Sequence, residues 1–145
     1  MKLKFTASAV IAAALTLTAC ATSPTGRNQV LLYSETQLAQ MGDQAFTGMK
    51  EELKISNKAV QNSYVECVAN AITAQVPATV FNGQWEVVVF DDEQVNAFAL
   101  PGGKIGVYTG LLNVAENQHQ LAAVIGHEVG HVIAEHGNER MSQST

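Results

Sequence analysis

The stretch Ile125-Gly126-His127-Glu128-Val129-Gly130-His131-Val132-Ile133 constrains this chain more than any other. It contains His-Glu-x-x-His. On a helix, His127 and His131 stand one turn apart, about 40° round the axis and about 6 Å along it, so both imidazoles point to one side. That spacing suits two nitrogens on one tetrahedral Zn2+ ion. Glu128 lies about 100° round from His127 and flanks the metal without ligating it, the place for a general base acting on water. The bland alternative is a buried helix with two satisfied histidines. The flanks from Gln120 to Ile125 and from Val132 to Ala134 are largely apolar, which predicts a central helix, apolar on most sides. Gly126 and Gly130 each cost a helix interior about 1 kcal/mol against alanine, so the pair predicts a close approach by a neighbour. Asn117 caps this helix with Gln120 three residues on, and His119 in the first turn faces solvent.

The 145 residues suffice for one domain of ordinary size. With a net charge of −5 and no basic stripe, nothing suggests a nucleic-acid partner. Residues 1–19 have the plan of a secretory signal peptide. Lys2 and Lys4 form the positive region, Phe5 to Leu17 the apolar one, and small residues follow. Leu17-Thr18-Ala19-Cys20 resembles a bacterial lipobox, which predicts cleavage before Cys20 and lipid on its sulfur. A chance cysteine after an ordinary signal peptide is the alternative. Lipidation would tether the protein to a membrane without a span. With Ala21 rather than aspartate after Cys20, the expected site is the periplasmic face of the outer membrane. Residues 20–30 then read as a lipidated tether, because Thr22-Ser23-Pro24-Thr25-Gly26 is turn and linker chemistry. Residues 31–145 carry the domain. Cys67, left without a disulfide partner, reads as a small core residue on a helix.

Ser34 and Gln37 form a capping box for a helix running to about Ile55, with Leu38, Met41, Ala45 and Met49 down one face. A second helix spans about Asn57 to Val76, with Val60, Tyr64, Cys67, Val68, Ala71 and Ile72 at 3-4 spacing, and Pro77 ends it. Trp85 to Phe90 reads as a buried strand, and Asp91-Asp92-Glu93 as a solvated turn. Two strand-like runs then flank Pro101-Gly102-Gly103, a hairpin. Ala97, Ala99 and Gly106 leave room for another backbone, and an exposed edge here could take an extended peptide as an added strand. A plain structural hairpin is equally compatible. Tyr108 reads as packing, and Thr109 to Val114 as a short helix or turn.

Asn96 to Ile105, Tyr108 to Leu112 and Leu121 to His131 together resemble the HtpX and CAAX-prenyl-protease family of zinc metallopeptidases, in particular its bacterial periplasmic lipoproteins and their mitochondrial relatives. The resemblance is specific from about Asp91 to Met141. It implies an α+β gluzincin fold, with N-terminal helices, a small sheet with a hairpin, and the zincin active-site helix. His127 and His131 would ligate Zn2+, Glu128 would be the base, and Asn96, Ala97, Phe98 and Ala99 would form the rim holding the substrate backbone. Envelope relatives act in quality control, so unfolded or misfolded proteins and peptides are the implied substrates.

The family's third ligand is a glutamate of a Glu-x-x-x-Asp motif on a later helix, and the 14 residues after His131 contain no such motif. Within a continued helix, His136 lies about 140° round from His131 and faces away, while Glu135 is a full turn beyond it and Glu139 further still. The domain therefore reads as incomplete, with Val124, Val129, Val132 and Ile133 expected to form an apolar surface without its cover. Two functions follow: a lipid-anchored zinc endopeptidase, or a catalytically inactive lipoprotein that binds peptides through the hairpin.

Overall fold

The computed structural model describes residues 20–145; the expected signal peptide, residues 1–19, lies outside the described residues. These form a mixed α+β domain of five helices and two small sheets. In chain order they are β1 (Cys20–Thr22), β2 (Asn28–Val30), α1 (Glu35–Glu52), α2 (Ala59–Thr73), β3 (Glu86–Phe90), β4 (Ala97–Leu100), β5 (Lys104–Tyr108), α3 (Thr109–Val114), α4 (Gln118–Ile133) and α5 (His136–Gln143).

The main sheet has the order β3-β5-β4. β5 is central, parallel to β3 and antiparallel to β4. Its apolar residues are buried: Ile105, Val107 and Tyr108 are all 7% exposed or less. Antiparallel pairing of β4 and β5 needs a sharp reversal, and Gly102 (φ +85°) and Gly103 (φ +73°) supply the left-handed backbone that makes it. β4 is thereby left as an edge strand.

Side-chain alternation along the strands divides the core in two. On one face Val89, Ala97, Ile105 and Val107 meet Val65, Val68 and Ala69 of α2 and Leu121, Ile125 and Val129 of α4. On the other face Phe90, Phe98 and Tyr108 surround Phe46 of α1. α1 begins at the expected capping box, where Ser34 Oγ accepts from Gln37 N–H and Gln37 Oε1 accepts from Ser34 N–H. Glu86 accepts from both Lys50 (2.6 Å) and Lys104 (2.9 Å), which ties α1 to the sheet and holds its carboxyl below the usual range.

Several expectations are corrected. The buried line of α1 is Leu38, Gly42 and Phe46, and Met41 is exposed. α1 ends at Glu52 because the chain leaves the helix to place Ile55 beside Phe90. On α2 the phase is rotated: Val65, Val68, Ala69 and Thr73 face inward, while Val60 (84% exposed), Tyr64 and Cys67 face out. Cys67 is therefore a surface residue. The space beside Gly106 is filled by the Phe98 ring, whose nearest atom would stand 2.1 Å from an added Cβ. It is not open to a second backbone.

The segment expected to be a tether is folded. β1 and β2 pair as an antiparallel hairpin, Cys20 opposite Val30. Residues 27–33 then dock on α5 through polar groups. Arg27 forms a two-pronged ion pair with Glu139, Nη2 to Oε2 at 2.6 Å and Nη1 to Oε1. Gln29 Nε2 donates to Ala134 O at 2.9 Å and to Glu139 Oε2 at 3.2 Å. Leu32 N–H donates to Ser142 Oγ, and Asn138 exchanges hydrogen bonds with Tyr33 N–H and C=O. The buried residues of α5 are accordingly polar: Asn138, Glu139 and Ser142.

Candidate active site

α4 buries one stripe completely and most of its other sides in part; of residues 121–133 only Ala123 and His127 are exposed. Leu121, Ile125 and Val129 recur every four residues and are 0%, 1% and 2% exposed. Each fully buried side chain of this size contributes about 1.5–3 kcal/mol, so this stripe fixes the rotation of the helix. His127 and His131 each follow a stripe residue by two positions, about 200° round, and so face away from the core. His127 is exposed, and His131 and Glu128 are half-buried. The expected uncovered surface is absent in part: Val129 is in the core, and Val124 and Ile133 pack against it. Nor does a neighbour press on the glycines. A Cβ on Gly126 would meet Ile72 at an ordinary 3.9 Å, and one on Gly130 would meet nothing among the described residues within 4 Å.

The helix starts where Asn117 Oδ1 accepts from His119 N–H (3.0 Å) and Gln120 N–H (3.1 Å). The two motif histidines converge as the spacing requires, with His127 Nε2 and His131 Nε2 3.0 Å apart. Two nitrogens bound to one tetrahedral zinc at the usual bond length stand about 3.3 Å apart. A few tenths of an ångström of side-chain rotation closes that difference, so the pair fits two ligand positions. Among the described residues no third histidine, cysteine, aspartate or glutamate completes a metal-holding group with them.

His136 is where helix geometry alone misleads. α4 stops at Ile133, and Glu135 takes a left-handed conformation (φ +53°) that turns the chain before α5. His136 swings back toward the site, and its Nδ1 lies 2.7 Å from His131 Nδ1. No sequence signal marks that turn, since a left-handed glutamate is uncommon.

The rim residues are placed unequally. β4 and β5 pair with Asn96 O accepting from Tyr108 N–H (3.1 Å), and antiparallel bonding alternates, so the N–H and C=O of Ala99 point to the free edge. Ala97 also faces that edge, but its N–H is taken by Asn96 Oδ1 at 2.9 Å. The Ala97 side chain is buried in the core, and Phe98 packs in the aromatic cluster on the opposite face. Only Ala99 of the four lines the groove of about 590 Å³ that runs from Leu38, Phe81 and the Leu100–Gly103 turn to His131. Tyr108 is in the aromatic cluster as well, where burial raises its hydroxyl pKa. Cys20 is exposed at the start of β1.

Residues 56–145 match Peptidase family M48. The chain is 38% identical over 114 residues to the mitochondrial metalloendopeptidase OMA1 of Arabidopsis thaliana, covering 76% of this chain and 23% of that protein. It is 30% identical over 129 residues to the mitochondrial metalloendopeptidase OMA1 of Bos taurus, covering 81% and 24%. Similarity extends to the beta-barrel assembly-enhancing protease of Escherichia coli, 25% identical over 100 residues, covering 69% and 20%. The chain thus spans less than a quarter of the length of these relatives. With the family match covering the sheet, the hairpin and the histidine helix, the chain belongs to peptidase family M48.

Proposed function

We propose that this chain carries the His-Glu-x-x-His part of the catalytic centre of a zinc-dependent metalloendopeptidase. The observation that carries the proposal is the 3.0 Å approach of His127 Nε2 and His131 Nε2, with Glu128 between them in sequence on the same helix. His127 and His131 would hold Zn2+ as two of its protein ligands. When bound, the ion would polarise the scissile carbonyl and make a nearby water more acidic. Glu128 accepts a proton from the attacking water and delivers it to the leaving amine. The Ala99 N–H and C=O on the β4 edge, without a partner among the described residues, bind an extended substrate as an added strand, in line with the groove that reaches His131.

The substrates in this proposal are unfolded or misfolded envelope proteins. The protein is held at the periplasmic face of the outer membrane by lipid on Cys20. Support for the anchor comes from Leu17-Thr18-Ala19-Cys20 and from the exposure of Cys20. No helix among the described residues is long and apolar enough to cross a membrane. The inactive peptide-binding alternative gains nothing from the relatives, which are named as peptidases. Zinc content and cleavage of an unfolded protein substrate, measured on this chain and on Glu128→Gln, test the proposal. Bound zinc in both and cleavage only with Glu128 would support it. A folded chain that binds no zinc, or cleavage that survives Glu128→Gln, would overturn it.

A further inference from the structure

We propose that His136 is a positioning residue that holds His131 in its metal-binding tautomer. The inference rests on the zinc proposal above. Its basis is the 2.7 Å separation of His131 Nδ1 and His136 Nδ1. Two ring nitrogens at that distance share one proton, so one ring donates and the other accepts. His131 presents Nε2 toward His127 Nε2 at 3.0 Å, the side where the ion would bind. A ligating nitrogen carries no proton, which puts the proton of neutral His131 on Nδ1. His131 is then the donor and His136 Nδ1 the acceptor. The outer partner of a ligating histidine fixes both the tautomer and the ring plane, and removing such a partner costs about 10–100-fold in metal affinity.

The fold holds His136 in place by means unrelated to the motif. The left-handed Glu135 ends α4 and starts α5 at His136. The Arg27–Glu139 pair and the Asn138–Tyr33 bonds then fix α5 against residues 27–33. Arg27, Glu139, Arg140 and Gln143 line one pocket together with His136. None of them is the group that meets His131, so the acceptor role belongs to the His136 ring. A mere packing role would ask only for a side chain of similar volume, whereas the tautomer role asks for an acceptor at the Nδ1 position.

The test compares the chain with His136→Ala, His136→Leu and His136→Asn, whose side-chain oxygen can stand near Nδ1. Nitrogen NMR of the metal-free proteins reads the tautomer of His131, and competition with a chromophoric chelator reads Zn2+ affinity. Thermal unfolding confirms that each variant folds. The unmodified chain is expected to hold His131 with its proton on Nδ1. His136→Ala and His136→Leu lose that preference and about 10–100-fold in zinc affinity, and His136→Asn recovers most of both. A proton on Nε2 of His131 in the unmodified chain would overturn the inference. So would folded His136→Ala or His136→Leu with unchanged zinc affinity, or an Asn variant no better than Leu. An unmodified chain with the Nδ1 proton in place but no zinc binding would overturn the zinc proposal while upholding the His131–His136 interaction.

Discussion

Gly42 of α1 lies directly against the carbonyl of Pro101, at the tip of the β4–β5 hairpin. A Cβ on Gly42 would stand 2.0 Å from that oxygen. The helix and the hairpin therefore meet backbone to backbone, and the contact helps set where the β4 edge lies. Glycine at this helix position costs about 1 kcal/mol in propensity, which Gly42→Ala would ordinarily return. Here the clash is with backbone, which cannot rotate aside. Gly42→Ala is expected to lower stability by about 1–3 kcal/mol, as overpacking does. Urea unfolding at constant m-value measures it.

Gly130 gives the opposite sign. Nothing among the described residues stands within 4 Å of its added Cβ. Gly130→Ala is expected to raise stability by about 1 kcal/mol through helix propensity alone. The same unfolding experiment checks it. A loss of stability would show that a group does approach Gly130 closely.

Glu135 carries a left-handed backbone with an ordinary side chain, a conformation that costs roughly 1–2 kcal/mol. Glu135→Gly removes the strain at the price of a more flexible unfolded chain. A net gain of about 0.5–1 kcal/mol is expected, with the His131–His136 approach retained. Glu135→Val, β-branched at the same φ, is expected to destabilise.

The Arg27 guanidinium, with help from Gln29, holds the Glu139 carboxyl down to about 2. A carboxyl whose folded pKa is depressed stabilises the fold above its unfolded pKa, and that contribution is lost as pH falls through the folded pKa. The docking of residues 27–33 on α5 should therefore weaken between about pH 4.3 and pH 2. Amide hydrogen exchange of Gln29, Leu32 and Tyr33 reads the release. Glu139→Gln should be less protected at neutral pH and should lose the acid-dependent step.

These positions also show what was legible in the sequence. The helix, its Asn117 cap, the convergence of His127 and His131, the capping box of α1 and the Pro-Gly-Gly hairpin all follow from local rules, and all are present. Phase was harder. On α2 the residues Val60, Tyr64 and Cys67 fit helical spacing as well as Val65, Val68 and Ala69 do, and only the sheet decides which face it covers. The hairpin of residues 20–30 escaped because its docking is polar. Arg27, Gln29, Asn138, Glu139 and Ser142 form no apolar period, and their partners are more than a hundred residues apart. His136 escaped because a single backbone angle at Glu135 redirects it.

The central claim is that His127 and His131 hold one zinc ion. X-ray absorption at the zinc edge, on the chain loaded with one equivalent of Zn2+, tests it most directly. Two imidazole nitrogens at about 2.0–2.1 Å are predicted, falling to one in His127→Ala and one in His131→Ala. A zinc signal without imidazole scattering, or one unchanged by either substitution, would contradict the account.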